Sequence, residues 1–194
     1  RPSPRKSVFR LLHRPAVSVG LMACGLFFMG QFALFTYVRP FLETVTHVSP
    51  SGLSLILLTI GIAGFIGTLI VALVLNAAFY LTLMALPLLM ALIAGVLMLT
   101  GDSLWIVALL LGFWGMLATA APTGWWTWIA RTLPEDAEAG GGLMVAVIQL
   151  SIALGSTAGG VVFDTFGWQS TFALSSILLL SAGVLTFTTS RHRK

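Results

Sequence analysis

Apolar positions along this chain gather into six long runs, separated by short breaks of glycine, proline, asparagine or charge. The runs cover residues 16–38, 51–75, 77–99, 104–130, 141–163 and 170–189. Each approaches or exceeds the about 20 residues that a helix needs to cross a hydrocarbon core of roughly 30 Å. The pattern predicts an all-α membrane protein with six transmembrane helices. An even number of crossings returns the chain to its starting side. Residues 1–15 read as a cytosolic linker ending in an interfacial segment, and residues 190–194 as a basic cytosolic tail.

Local signals place the ends of the runs. Val8, Phe9, Leu11 and Leu12, interleaved with Arg10, His13 and Arg14, suit a short helix lying on the membrane surface. Pro15 can open the first span, where its missing N–H costs nothing. Tyr37 and Arg39 sit where headgroups lie, and Pro40 is expected to stop the helix. An outer loop with Glu43 and His47 follows, and Ser49 or Ser51 can cap the second span. Asn76 marks the turn between the second and third spans, and Pro87 is expected to kink the third unless neighbours satisfy the freed carbonyl. Gly101-Asp102-Ser103 forms a tight outer turn. Thr132 and Glu135 have the spacing of a capping box before the fifth span, and Glu135, Asp136 and Glu138 favour its positive N-terminus. Two small-residue stripes, Gly64/Thr68/Ala72 and Ser151/Gly155/Gly159, offer faces for close helix approach, which replaces the hydrophobic effect as the glue between helices in lipid.

Composition agrees: 58% of the residues are apolar and only 8% charged, against about a quarter in soluble domains. The net charge of +4 does not point to nucleic acid, because of where it lies. Arg1, Arg5, Lys6, Arg10 and Arg14 precede the first span, and Arg191, Arg193 and Lys194 follow the last. Basic residues concentrate on the cytoplasmic side of membranes. Both termini therefore read as cytoplasmic, with Arg131 on the same side and Arg39 alone outside. The opening residues lack the apolar core and cleavage site of a secretory signal. Cys24, the single cysteine, excludes a disulfide framework within the chain and reads as a packing residue.

No Asp, Glu, Lys, Arg or His falls at mid-membrane depth, where ionisable groups mark ion and proton paths. The candidate chemistry is therefore polar and aromatic. Gln31 lies mid-span, with Phe28 and Phe35 on the same face, and Gln149 lies in the first half of the fifth span. Burying an amide against lipid alone costs roughly 2–7 kcal/mol, so both amides are expected to face protein or a wet cavity. They read either as links to a neighbouring helix or as a pair of ligand contacts facing each other across the bundle. Trp114 and Trp125, three turns apart on the fourth span, are expected to share a face suited to a flat, partly apolar solute. Trp126 and Trp128 read either as part of that site or as an interfacial belt. Tyr37, Arg39, Glu43, Trp128 and Arg131 are gating or anchoring candidates, Arg39 either snorkelling to the interface or pairing with Glu43 one turn on. No Ser-His-Asp set, metal-spaced His pair or phosphate loop is present: Gly140-Gly141-Gly142 follows no strand and precedes no Lys-Ser/Thr. Neither enzyme activity, metal nor cofactor is expected.

Three segments are more specific. Residues 30–40 (GQFALFTYVRP), 122–133 (PTGWWTWIARTL) and 145–150 (VAVIQL) resemble the second half of the drug:proton antiporter branch of the major facilitator superfamily. The opening Phe9-Arg-Leu-Leu-x-Arg-Pro15 is similar to that of its purine-ribonucleoside exporters. The resemblance covers nearly the whole chain. It implies the C-terminal half-bundle of a twelve-helix major facilitator fold in a bacterial inner membrane. It also implies proton-antiport export of a purine ribonucleoside or related small molecule between this half and a missing N-terminal six-helix half. Sugar or multidrug efflux by the same fold is the alternative, and a self-assembling channel or membrane scaffold the alternative of another class. By the resemblance Gln31, Phe35, Trp125 and Gln149 line the cavity. The chain departs from the family at Asn76-Ala77-Ala78, where basic residues are usual.

Overall fold

Helix formation follows the apolar runs closely. The computed structural model describes residues 4–192, with side chains from Val8 onward. Arg1, Arg193 and Lys194 lie outside the described residues, as do the side chains of Arg5 and Lys6. Eight helices follow in order: α1 (Pro4–Leu11), α2 (Pro15–Phe35), α3 (Val38–Thr44), α4 (Pro50–Ala77), α5 (Phe79–Thr100), α6 (Leu104–Thr132), α7 (Ala137–Phe166) and α8 (Trp168–Arg191). No strand occurs among the described residues. Six spans, α2 continued by α3 and then α4 to α8, are long and apolar enough to cross a membrane. The start of α2 and the end of α8 lie on one face of the bundle, the terminal face.

Several boundaries differ from expectation for clear reasons. Pro40 does not stop the first span. The helix breaks earlier, at Thr36 and Tyr37, and resumes as α3 with Pro40 in its first turn, where no backbone N–H needs a partner. Asn76 is still helical; α4 runs to Ala77, and Ala78 alone separates it from α5. The capping box does not form, because α6 carries Thr132 and α7 starts only at Ala137, with no side-chain cap from Asp136. Ser49 caps α4 as anticipated, its Oγ accepting from the Gly52 N–H at 3.1 Å. Pro87 lies inside an unbroken α5. The last helix reaches Arg191 and so takes in the start of the expected tail. Gly167, at φ 94°, makes the turn from α7 to α8, a conformation that glycine adopts without steric cost.

Packing centres on α2. It lies against α7 and α8, while α4 packs on α6, and α5 bridges α6 and α8. Backbones meet where side chains vanish. Gly155 and Gly159 of α7 press on the carbonyls of Met29 and Ala33, and Gly25 of α2 faces Ser151, so the second small-residue stripe is the α2–α7 seam. The first stripe is corrected. Gly64 and Gly67 meet Thr119, Gly115 and Met116 of α6, whereas Thr68 and Ala72 are exposed; the buried positions of α4 mix steps of three and four, as a helix of 3.6 residues per turn requires. Hydroxyls add direct links: Ser175 Oγ donates to the Gly30 carbonyl at 2.5 Å and Ser176 Oγ to that of Ala91 at 2.9 Å. Away from the terminal face, Phe41 packs on Trp168 and Phe172 with ring centres 5.0 and 4.8 Å apart. Thr46 Oγ1 donates to the Gly101 carbonyl at 2.8 Å. These contacts tie α3 to the outer ends of α5 and α8. On α1, Leu11 is buried while Phe9 stays exposed, as a surface-lying helix demands.

Candidate functional site

The face of α2 that escapes its neighbours carries the most telling side chain. Gln31 is half-buried, yet its Oε1 is enclosed without a hydrogen-bond partner. An acceptor left so costs about 1–3 kcal/mol, a cost that a ligand or water removes on binding. Phe32 and Phe35, both half-buried, flank it, and Thr36 is exposed one turn beyond Phe32.

Gln149 is exposed on α7. The α2–α7 register, Gly25 beside Ser151 and Met29 beside Gly155, sets Gln31 level with Thr157. Gln149 therefore lies roughly 12 Å closer to the terminal face. The two amides do not meet across the bundle as expected. They lie on neighbouring helices at different depths. Ser156, about two turns after Gln149 on the same flank, joins the helices: its Oγ lies 2.9 Å from Thr36 Oγ1, and its carbonyl accepts from the Tyr37 hydroxyl at 2.7 Å. Tyr37 also stacks on Phe163, centres 5.4 Å apart. Ser156 was missed in the sequence, although its two-turn spacing from Gln149 was a readable signal.

The tryptophans divide differently from expectation. Trp114, Trp125 and Trp128 are 0, 1 and 1% exposed, and sit inside the bundle rather than on an open face. The Trp128 ring lies over Gly20 of α2 and meets Trp125 edge to face at 5.5 Å. Trp126, beside Trp125 in the chain, is 41% exposed. Thr119 and Thr123 are also exposed and Thr127 half-buried, a hydroxyl stripe at four-residue spacing along α6. The indole nitrogens of Trp114 and Trp128 are enclosed without acceptors among the described residues.

Charges lie at the ends. Arg39 Nε donates to Glu43 Oε1 at 2.9 Å, both side chains exposed. Arg131, on the terminal face, stacks over the Phe79 ring at 4.4 Å. Among the described residues no group of three His, Cys, Asp or Glu is placed to hold a metal ion.

Six helices long and apolar enough to cross a membrane define a multi-pass membrane protein. The chain belongs to the Major Facilitator Superfamily, whose family model matches residues 21–194. It is 62% identical over 187 residues to the "Transcription regulatory protein OpdE" of Pseudomonas aeruginosa, covering 96% of this chain and 46% of that protein. It is 42% identical over 180 residues to the "Purine ribonucleoside efflux pump NepI" of Salmonella enteritidis and of Salmonella typhimurium, covering 92% of this chain and 45% of each pump. The chain thus spans about half the length of the curated relatives it matches. Its six helices form one half of a major facilitator fold.

Proposed function

We propose that this chain is the C-terminal half of an inner-membrane efflux transporter that exports purine ribonucleosides or closely related solutes in exchange for protons. Both termini lie in the cytoplasm in this reading, and transport proceeds by this bundle rocking against a second six-helix bundle around a central site. The observation that carries it is the enclosed, unpartnered Gln31 Oε1 beside Phe32 and Phe35. An amide offers both a donor and an acceptor to a base edge, and the rings supply flat apolar surface. Gln149 takes the more polar end of the solute nearer the cytoplasm. Trp114 and Trp125 shape the site from behind, through the bundle interior. Arg39 and Glu43 act at the outer mouth with Tyr37, while Trp128 and Arg131 anchor the inner end. The described spans hold no carboxylate at mid-depth, so the second bundle supplies the proton-coupling acid.

The test uses the full-length protein in proteoliposomes under an imposed proton gradient. Gln31→Ala and Gln149→Ala should each cut purine-ribonucleoside flux between roughly threefold and tenfold, the loss of about one hydrogen bond, with protein levels unchanged. Normal flux in both variants removes them from the site. Proton-coupled movement of sugars or lipophilic cations in place of nucleosides overturns the substrate and keeps the transporter.

A further inference from the structure

Because Ala78 alone joins α4 to α5, the two helices splay from a narrow vertex on the terminal face and leave a groove floored by α6. About 320 Å³ of space lies there, lined by Val71, Val74, Leu81, Ala85, Met116 and Ala120 among others. The only side-chain hydroxyl in that lining, of Thr82, is already satisfied by the Ala78 carbonyl at 2.6 Å. The groove runs from Ala78 to Leu89, roughly 16 Å along a helix axis. That length matches one leaflet of a hydrocarbon core of about 30 Å. Arg131 lies outside the lining itself but stacks on Phe79, the residue after Ala78 at the groove's terminal-face end. No carboxylate among the described residues pairs with Arg131.

We propose that this groove binds one glycerophospholipid of the terminal-side leaflet, an acyl chain lying along α5 and the phosphodiester on Arg131. Bilayer tails are already apolar, so the groove gains nothing from hydrophobic transfer. Selection comes from filling the space and from the charge-assisted guanidinium–phosphate pair, which a bulk lipid lacks. The exposed Glu135, Asp136 and Glu138 follow close behind in the chain and favour a headgroup that carries a cation beyond its phosphate over one ending in neutral glycerol. The groove between α5 and α8, lined by Leu92, Gly95 and Ser176 among others, is of similar size but lies farther along α5 from the Phe79–Arg131 pair, and provides an internal control.

The experiment is native mass spectrometry of the full-length protein in mild detergent, titrated with phosphatidylcholine, phosphatidylglycerol and diacylglycerol. The wild type should retain one phosphatidylcholine, more firmly than phosphatidylglycerol and at least tenfold more than diacylglycerol. Ala85→Phe, or Val74→Phe should the first fail to fold, should abolish retention. Arg131→Gln should bring phosphatidylcholine down to the diacylglycerol level, and Gly95→Phe should change nothing. Equal retention by wild type and both groove-filling variants overturns the proposal. So does an equal loss in Gly95→Phe, which indicates an unselective lipid annulus. Assembly defects in both groove-filling variants, with no lipid bound to the wild type, assign the groove to a protein partner instead.

Discussion

Trp125 is 1% exposed and Trp126 41%, although one peptide bond separates them and a helix turns by only about 100° per residue. The sequence shows that aromatic surface exists here but not which ring meets the solute, because the helix is apolar around most of its circumference. In a soluble helix the polar face settles rotation; in a span it is settled by where glycines let backbones approach. Trp125→Ala empties a core position and should cost about 3–5 kcal/mol, visible as a loss of folded protein in a thermal-shift assay. Trp126→Ala should leave stability within about 0.5 kcal/mol and alter flux. The same division applies to glycines. A Cβ at Gly155 runs into the Met29 carbonyl, whereas one at Gly95 meets nothing within 4 Å. Gly155→Val should prevent α2 and α7 from closing, and Gly95→Ala should stabilise α5 by about 0.8–1.0 kcal/mol, the helix-propensity difference, both measured by unfolding in detergent.

At the scale of elements, the helices run within a few residues of the apolar stretches read from the sequence, except where α2 continues into α3 as far as Thr44. Junctions were harder. Pro40 reads as a terminator when only its missing N–H is considered, yet a first-turn position tolerates that loss, and the real break falls at Thr36 and Tyr37. What holds that break is tertiary: the Tyr37 hydroxyl donates to the Ser156 carbonyl, and the Thr36 and Ser156 hydroxyls meet. No local pattern announces a bond between residues so far apart in the chain. Tyr37→Phe removes one hydrogen bond, worth about 0.5–1.5 kcal/mol, and keeps the stacking on Phe163. Amide hydrogen exchange across Val38–Thr44 should therefore quicken by about threefold to tenfold, while exchange in α8 stays unchanged. An unaltered rate in α3 assigns the anchoring to the Phe41, Trp168 and Phe172 cluster instead.

At the scale of the molecule, burial is unequal in a way that no single helix explains. Two-thirds of the central window of the first span is buried, against 28% for α4 and 17% for α7. Lipid accounts for part of the bare surface: Leu150, Leu154 and Val161 of α7 are exposed and wholly apolar. The other flank of the same helix exposes Gln149 and Ala153, and an amide facing tails unpaired is expensive. That flank was legible only in part. Gln149 advertised it in the sequence, but its orientation depends on the glycine seam that turns Gly155 and Gly159 toward α2. In the proposed two-bundle transporter the amide flank faces the second bundle and its aqueous cavity, and the leucine flank faces the bilayer. Spin labels on single cysteines at Ala153 and Leu154, in a full-length protein otherwise lacking reactive cysteine, separate the two environments. The label at position 154 should relax strongly with oxygen, which concentrates in lipid, and that at 153 with a water-soluble nickel complex or with neither reagent. Strong oxygen relaxation at both positions means that α7 is bare on both flanks, and removes the case for a second bundle against it.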